Sequence, residues 1–301
     1  MDWTSKETIE IIFRLLSVKG MGVVQTNRML FAIQNKIETT NELESSIRML
    51  LTSDQRSEFE GYYKMSHRVP EIEYLSLLSP QYPQVLLALL KQNSPTVLSC
   101  LGNIDLLQKM KVGFSGSRKA SEKGLWIAKD CASQLSDLDI CVVSGYASGV
   151  DMEAHKAALQ NGGSTIIVLP EGIDAFYIKE EIRDAWDWKR VLVVSEFLPH
   201  DNWMASRAMR RNDTIIAMSD AMFVVEAGDS GGSLDAGLKT INMGKSLFVP
   251  LYSKLPDSAK GNPILLAKGA QPMKQKRQTS RVNIEGLVGS LGKMREPMLA
   301  L

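Results

Sequence analysis

Residues 112–121 of the chain read VGFSGSRKAS, and this stretch decides the fold. It begins as a short apolar strand and ends in a glycine- and serine-rich loop that carries two basic residues. The segment that follows, Glu122–Ser136, has helical periodicity, with an apolar stripe of Leu125, Ala128, Ala132 and Leu135. A buried strand, a polar turn and an amphipathic helix make one β–α unit, and a chain built from such units predicts an α/β fold.

The same unit recurs along the chain from Lys111 onward. Apolar segments of strand length alternate with helical ones, and the predicted strands are Val112–Ser115, Ile140–Ser144, Thr165–Leu169, Val191–Ser195, Ala221–Glu226 and Ser246–Pro250. This alternation predicts a doubly wound, mostly parallel sheet whose strands are buried on both faces. Ligands of such sheets bind at the carboxyl ends of the strands, so the residues after each strand form the candidate site.

Glycine and serine recur directly after the predicted strands. The loops read Ser115-Gly116-Ser117-Arg118-Lys119, Ser144-Gly145 and Gly228-Asp229-Ser230-Gly231. Small residues allow phosphate groups to approach backbone N–H groups and helix N-termini, and the Arg118 guanidinium can bind a phosphate through two hydrogen bonds. The pattern predicts a rim that binds a polyanion or a nucleotide, and ordinary tight turns are the alternative.

Composition and missing motifs exclude several classes of protein. The 301 residues include 35 basic and 34 acidic ones, a net charge of +1, so a polyanion site has to be a local cluster. Neither G-x-G-x-x-G after the first strand nor G-x-x-x-x-G-K-[ST] is present, so we expect no dinucleotide cofactor and no P-loop. We expect no other cofactor and no metal.

The location of the protein is also predicted from composition. No apolar run reaches the roughly 18 residues of a membrane span, so we expect no membrane partner. The N-terminus reads Met1-Asp2-Trp3-Thr4, without the pattern of a signal peptide. The three cysteines are scattered among apolar residues, which is typical of buried thiols in a reducing compartment. These features predict a cytoplasmic protein.

The first seventy or so residues are predicted to be helical. Apolar residues fall at helical spacing before and after a glycine turn at residues 18–22, in Ile9, Ile12, Phe13 and Leu16 and again in Met29, Leu30 and Ile33. This is the outline of a helix-hairpin-helix, whose exposed N–H groups can bind phosphate, and also of an ordinary αα-hairpin in which the helices only pack. A proline-punctuated connector follows, and after Lys274 the chain becomes polar and basic.

Three arginines of one predicted helix, Arg207, Arg210 and Arg211, are spaced i, i+3 and i+4 and therefore share a face. They form either a solvated helix face or a patch that follows phosphates together with Arg118 and Lys179.

Five further residues have competing interpretations. His155 lies four residues after Asp151, which suits a metal or an acid–base pair, but no further histidine or cysteine completes a ligand set. We expect Asp151 to cap its helix and His155 to pack or hydrogen-bond locally. Glu226 either acts as a catalytic carboxylate or neutralises a neighbouring arginine. Tyr146 and Tyr177 are candidate base-stacking side chains or part of the core.

An ordered series of short motifs resembles a known family. The series runs through GSRKAS (116–121), VSG (143–145), AH (154–155), GID (172–174), SE (195–196), RN (211–212), VEA (225–227) and GA (269–270). These motifs resemble the DNA-processing protein A family (DprA, also called Smf), and the agreement covers residues 82–272, roughly two thirds of the chain.

The resemblance implies an extended Rossmann-like domain preceded by a small all-α domain of the sterile-alpha-motif (SAM) or helix-hairpin-helix kind. We expect the helical domain at residues 1–70, the DNA-binding domain at 71–275 and a short basic tail at 276–301. It also implies a non-catalytic protein that binds single-stranded DNA, forms a homodimer and passes the strand to a RecA-type recombinase during DNA uptake and recombination.

The resemblance also assigns roles to residues. Carried over by position, Arg118 and Lys179 contact the DNA backbone and Arg211 lies near them. Together with the loops at the strand ends, the candidate DNA- and phosphate-binding residues are Gly116, Ser117, Arg118, Lys119, Ser144, Gly145, Lys179, Arg210, Arg211, Ser230 and Gly231.

The chain departs from the family at four positions, of which Val150 for an isoleucine is conservative. Ser148 replaces an arginine, Asp235 replaces a threonine and Ile178 replaces a proline, and we expect the first two changes to weaken a phosphate site. The alternative function is a nucleotide-binding sensor or nucleotide-processing enzyme of the wider Rossmann superfamily. In that case residues 230–233 faintly resemble the P-G-G-x-G-T-x-x-E motif of Lonely Guy phosphoribohydrolases. A third interpretation is an interaction protein with a partner-binding surface.

Overall fold

The computed structural model describes residues 1–61, 71–276 and 279–292. Two compact units make up the chain. The smaller unit comprises Met1–Leu101, Glu171–Phe176 and Val194–Met204, and the larger unit comprises Gly102–Pro170, Tyr177–Val193 and Ala205–Leu301. The domain boundary expected at residue 70, together with residues 277, 278 and 293–301 of the expected tail, lies outside the described residues.

Four helices begin the smaller unit: α1 (Lys6–Ser17), α2 (Val23–Ile33), α3 (Thr40–Leu50) and α4 (Ser53–Phe59). The helices α1, α3 and α4 start after Ser5, Thr39 and Thr52, whose hydroxyls accept a first-turn backbone N–H and so stabilise the helix start. The apolar faces of all four helices are buried, and they include Ile9, Ile12, Phe13, Leu30, Leu43 and Ile47. The predicted helical N-terminal region is confirmed.

The turn between α1 and α2 is closed by a carboxylate. Gly20 adopts a φ of +82°, a conformation that favours glycine. The Lys19 N–H donates to the Glu58 carboxylate of α4 at 2.7 Å, and Met21 is buried. Because a carboxylate already accepts from this turn, the structure favours helix packing over phosphate contact here.

The smaller unit continues with β1 (Glu73–Ser76), α5 (Gln84–Leu90) and β2 (Val97–Gly102). The strands β1 and β2 pair antiparallel, with Tyr74 opposite Ser99. Between them, the hydroxyl of the buried Tyr82 donates to the Pro95 carbonyl at 2.7 Å. The described part of the expected connector is therefore a folded segment.

The larger unit is built on a parallel sheet. Its strands are β3 (Lys111–Ser115), β4 (Cys141–Ser144), β5 (Thr165–Leu169), β7 (Ala221–Val224), β8 (Ser246–Pro250), β9 (Gln271–Met273) and the first three residues of β6 (Val191–Ser195), in the order β6-β5-β4-β3-β7-β8-β9. Parallel pairing joins β5, β4, β3, β7, β8 and β9. The predicted α/β, Rossmann-like, mostly parallel sheet is confirmed, and its order reverses at β3, which lies between β4 and β7.

Helices cover this sheet: α6 (Glu122–Asp137), α7 (Val150–Gln160), α8 (Glu180–Arg183), α9 (Ala205–Met218), α10 (Gly232–Asn242), α11 (Asn262–Ala267) and α12 (Glu285–Ser290). The predicted stripe of α6 buries Ala128, Ala132 and Leu135. All three cysteines are buried, and burial raises the pKa of the Cys141 thiol to about 11. Among the described helices, none combines the length and the apolar composition needed to cross a bilayer.

The C-terminal segment contributes to the core of the larger unit. Val282, Ile284 and Leu287 are buried in the same cluster as residues of α6. The Val282 N–H donates to the Asp130 carboxylate at 2.7 Å, which fixes the segment to α6. Residues 279–292, expected as part of a short basic tail, are thus packed, because their apolar residues outweigh the basic ones around them.

Candidate nucleic-acid interface

The loop after β3 presents two basic side chains to solvent. Arg118 and Lys119 are exposed, whereas Gly116 and Ser117 are half-buried. The Ser117 N–H donates to the Glu226 carbonyl at 2.8 Å, and the Lys119 N–H donates to the Ser117 hydroxyl at 3.0 Å. A Cβ at position 116 would lie 2.5 Å from Val150, so only glycine fits there. The backbone of the loop is therefore fixed, and its cations point outward.

The loop between β4 and α7 packs directly on the Arg118 loop. Gly149 has a φ of +81°, and a Cβ there would overlap the Ser117 carbonyl oxygen. The Val150 N–H donates to that same oxygen at 3.3 Å. Gly149 is the residue that precedes α7, so the expectation that Asp151 caps this helix is wrong. Asp151 lies in the first turn instead and accepts the Ala147 N–H at 3.4 Å.

Arg211 lies beneath this surface. Its side chain is only 7% exposed, and its Nη1 donates to the Val168 carbonyl of β5 at 2.8 Å. A Cβ at Gly145 would overlap Arg211 and would lie 2.6 Å from the Asp151 carboxylate. Burial raises the pKa of Asp151, and the charges of Arg211 and Arg118 oppose that rise. Arg211 therefore supports the β4–α7 loop from inside the protein.

The three arginines of α9 do not form one solvated face. Arg211 is buried, and Arg207 and Arg210 are half-buried. They do not share a solvated face because Arg211, the last of the three, is turned toward β5. Arg210 remains a candidate for phosphate contact at the margin of the site.

Lys179 is held by the residue that follows Gly145. Its ammonium donates to the Tyr146 carbonyl at 2.5 Å and lies 4.5 Å from the centre of the Tyr146 ring. The Lys179 N–H also donates to the Tyr146 hydroxyl at 3.0 Å. A cation over an aromatic face is attracted by the ring quadrupole. The β4–α7 loop thus contacts both the Arg118 loop and Lys179.

His155 is a fully buried, neutral residue of α7. Its Nε2 lies 2.5 Å from the Gly145 carbonyl, which can only accept, so Nε2 carries the proton, and its Nδ1 lies 2.6 Å from the Thr165 hydroxyl. Burial, together with the charges of Arg211 and Lys179, lowers the pKa of His155 to about 4. The expected local hydrogen bonding is confirmed. Within the described residues, no group of three or more acidic, histidine or cysteine side chains is placed to hold a metal.

Glu226 and Asp235 are both engaged by neighbouring groups, Glu226 by neutral donors and Asp235 by a lysine. The Glu226 carboxylate is fully buried and accepts hydrogen bonds from Ser121, Tyr252 and Ser258. It accepts from hydroxyls instead of pairing with an arginine in the contacts described, contrary to expectation, and its burial leaves it out of reach of a substrate. Asp235 lies 3.3 Å from the Lys239 ammonium. Neither carboxylate presents an uncompensated charge to the rim.

The remaining predicted residues divide between surface and interior. Ser144 is buried, and its hydroxyl donates to the Phe114 carbonyl at 2.8 Å, so its side chain faces the sheet. Ser230 and Gly231 are exposed at the start of α10, where Gly231 has a φ of +96°. A small cleft is lined by Ser115, Gly145, Asp151, Asn212, Met222 and Ala236, and of these the sequence analysis proposed only Gly145 as a phosphate-binding residue.

The geometry brings the predicted cations to one region. The β4–α7 loop contacts the backbone at Arg118 and the ammonium of Lys179. Within the larger unit, the carboxyl ends of β3 and β4 therefore carry a cluster of positive charge.

Comparison with known proteins identifies relatives of this architecture. Residues 73–282 match the profile of the family described as DNA recombination-mediator protein A. DNA processing protein DprA of Streptococcus pneumoniae is 33% identical over 210 residues, which cover 69% of this chain and 73% of the relative.

Two solved structures are also similar. The X-ray structure of DprA from Streptococcus pneumoniae matches with a TM-score of 0.69 and 26% identity, covering 89% of this chain and 94% of that one. The DNA processing protein A of Helicobacter pylori, a protein that binds single-stranded DNA, matches with a TM-score of 0.58 and 27% identity, covering 66% and 90%. Since the family profile spans more than half of its residues, this chain belongs to the DNA recombination-mediator protein A family.

Proposed function

We propose that this chain binds single-stranded DNA through backbone phosphates at a basic rim on the larger unit. The rim is formed by Gly116–Lys119, Tyr146, Lys179, Arg210, Ser230 and Gly231, whereas the predicted Gly145 is buried. The observation that carries the proposal is that the β4–α7 loop packs against the backbone at Ser117 and Arg118 and also holds the ammonium of Lys179. The binding of single-stranded DNA by the Helicobacter pylori relative supports it.

The chemistry of the rim suits phosphates better than bases. Arg118 is exposed and can bind a phosphate through two donors. The Lys179 ammonium has three donors, of which the Tyr146 carbonyl takes one. Phosphate contacts carry no sequence information, so the rim binds with little discrimination between bases. Because these contacts release counterions, affinity falls as salt rises.

The cleft beside the rim argues against a mononucleotide as the ligand. Its volume of about 20 Å³ has room for only one or two water molecules, so it does not enclose a nucleotide. His155 is neutral and buried and Glu226 is buried, so neither is placed to act on a bound nucleotide. A calorimetric titration with mononucleotides that showed micromolar binding, while oligonucleotides did not bind, would favour the sensor or enzyme instead.

The binding experiment is a fluorescence anisotropy titration of labelled oligothymidylate between about 50 and 200 mM salt. We expect Arg118→Ala and Lys179→Ala each to weaken binding about tenfold. Each should also reduce the salt slope by roughly 0.7, because each variant removes one cation that neutralises a phosphate of the single strand. The control is Lys268→Ala, because Lys268 is exposed and lies between the end of α11 and the start of β9, toward the amino-terminal edge of the sheet. Parent-like binding by both rim variants would show that the rim is assigned wrongly.

The family resemblance supports the wider role. We infer a cytoplasmic, non-catalytic homodimer that passes its bound strand to a RecA-type recombinase. Light scattering should then give twice the 33.4 kDa chain mass. The chain should also speed recombinase assembly on DNA already covered by a single-strand-binding protein, and Arg118→Ala should not. A monomer in solution would contradict the homodimer. Unchanged recombinase assembly would contradict the transfer of the strand.

A further inference from the structure

The Glu226 carboxylate is buried and takes four hydrogen bonds from neutral groups. It lies just beyond β7 and is fully inaccessible to solvent. Its Oε1 accepts from the Ser121 hydroxyl at 2.5 Å and from the Tyr252 hydroxyl at 3.0 Å. Its Oε2 accepts from the Ser121 N–H at 2.9 Å and from the Ser258 hydroxyl at 2.6 Å. A buried carboxylate is costly unless its oxygens are hydrogen-bonded, and here both are.

Glu226 contacts both ends of the segment that carries Arg118 and Lys119. Its carbonyl accepts from the Ser117 N–H at 2.8 Å, and its carboxylate holds Ser121. Ser121 in turn begins α6 by accepting the Gly124 N–H at 3.0 Å. A Cβ at Gly124 would overlap the Glu226 carboxylate, so glycine is needed for this approach. Arg118 and Lys119 therefore lie between Ser117 and Ser121, and Glu226 is hydrogen-bonded to both of these serines.

We propose that Glu226 is a positioning residue for DNA binding, which fixes the Arg118 loop in the conformation that receives phosphate. The inference rests on the proposed function and deepens it. Tyr252 and Ser258, which follow β8, supply the other two donors, so the same carboxylate connects the segment 252–258 to the basic rim. A change in that segment reaches Arg118 through Glu226, although neither Tyr252 nor Ser258 belongs to the rim.

Glutamine replaces the carboxylate only in part. Four donors converge on the two oxygens, and a glutamine amide has one oxygen, which can accept from two of them. In one orientation of the amide, its NH₂ group faces the Ser121 N–H, which cannot turn away. In the other orientation it faces the Ser121 and Tyr252 hydroxyls, which then have to accept instead of donate. Glu226→Gln therefore keeps the shape of the side chain but removes its charge and two of the four hydrogen bonds that the carboxylate accepts.

The test is a double-mutant cycle of Glu226→Gln with Arg118→Ala, measured by anisotropy with oligothymidylate. We expect Glu226→Gln to weaken binding about tenfold. The double variant should be no more than about twofold weaker than Arg118→Ala, because Glu226 acts through Arg118. Losses that multiply to roughly a hundredfold, or parent-like binding by Glu226→Gln, would overturn the proposal.

Hydrogen exchange provides a measurement that does not depend on DNA. In Glu226→Gln the amides of residues 117–121 should exchange faster, while those of β4 and β5 keep their protection. Unchanged exchange in this loop would overturn the positioning role, even if the parent chain binds no DNA and the proposed function fails. If Glu226→Gln does not fold, the pair Tyr252→Phe and Ser258→Ala removes two of the four donors, and the same criteria apply.

Discussion

The Lys179 ammonium lies 4.5 Å from the centre of the Tyr146 ring and donates to the carbonyl of that same residue. The Tyr146 hydroxyl also accepts the Lys179 N–H. Tyr146 therefore contacts both the backbone and the ammonium of Lys179. Burial raises the pKa of Tyr146, which keeps the phenol protonated. With one face covered by an ammonium, Tyr146 serves to orient Lys179 and is a poor platform for a base.

Replacing Tyr146 tests this orientation. Tyr146→Ala removes the ring and should weaken DNA binding roughly two- to thirtyfold, the range of a cation–π contact. Tyr146→Phe keeps the ring and the backbone carbonyl and should bind nearly as the parent does. Both are measured by anisotropy with oligothymidylate. Equal losses in the two variants would mean that the hydroxyl, and not the ring, matters.

Tyr177 is the base-stacking candidate that the structure leaves accessible, with 66% of its side chain exposed. Stacking of a base on an aromatic ring contributes roughly 1–3 kcal/mol. Tyr177→Ala should therefore weaken binding at least fivefold, whereas Tyr177→Phe should retain it. The measurement is the affinity for oligothymidylate compared with an abasic oligonucleotide, for which the alanine variant and the parent should be alike. A loss that is the same on both oligonucleotides would rule out stacking.

Arg211 should contribute mainly to stability. Arg211→Ala leaves the Asp151 carboxylate buried without this cation, and we expect the free energy of unfolding to fall by about 3 kcal/mol. The exposed Arg118→Ala should change it by less than about 0.5 kcal/mol. Urea denaturation followed by circular dichroism measures both. A parent-like unfolding midpoint for Arg211→Ala would indicate that this guanidinium is not needed inside the protein.

His155 should make the protein less stable in acid. Its pKa is about 4 when folded against about 6.5 when unfolded, so the unfolded chain binds the proton first as pH falls. Stability from this group is complete above pH 6.5 and is lost as pH falls toward 4, a loss of about 3 kcal/mol.

The measurement compares the parent with His155→Gln by urea denaturation over this range. The raised pKa of Asp151 makes the folded protein more stable as pH falls, which opposes the effect of His155. Both proteins contain Asp151, so its contribution cancels when their unfolding free energies are subtracted. The difference in unfolding free energy should shrink as pH falls. A difference that stays constant from pH 7 to 4 would contradict a buried neutral imidazole.

Substitutions at two glycines distinguish the stability cost of backbone strain from that of a steric clash. Gly149 and Gly162 both have positive φ, +81° and +73°, but a Cβ at 149 would overlap the Ser117 carbonyl, whereas one at 162 meets nothing within 4 Å. Gly162→Ala should cost about 1 kcal/mol for strain alone. Gly149→Ala should cost at least about 2 kcal/mol more and should weaken DNA binding, since it separates the two loops of the rim. Similar costs in thermal or urea unfolding would show that the loops are not in contact.

The sheet could be predicted because its signal is local. Apolar strands and helical stripes alternate from residue 112 onward, and parallel strands place their carboxyl ends at one edge, so the general position of Arg118 and Gly145 followed from the pattern. In the larger unit, β9 and α12 were not predicted because their sequence signal is weak. The strand β9 has only three residues, and α12 lies next to basic residues that suggested a tail.

The interior of the site could not be predicted in the same way. Helical spacing placed Arg211 on a face with Arg207, but only the packing against β5 shows that this end of the face is buried. Composition marked Ser144 as a phosphate contact, yet the side chain at this strand end turns to Phe114. The partners of Glu226 come from segments more than a hundred residues before it and about thirty after it, and such distant contacts leave no periodic signal.

The contact between Asp130 and Val282 spans 152 residues of chain, and Gln134 reaches Val282 across 148. Contacts this distant along the sequence have to close a long loop before they stabilise anything, and such topologies fold slowly. The C-terminal strand-and-helix segment should therefore dock onto α6 late, after the strands around β3 have formed. A slow refolding phase that disappears when Val282 is replaced by a polar residue would mark this docking as the step that limits folding.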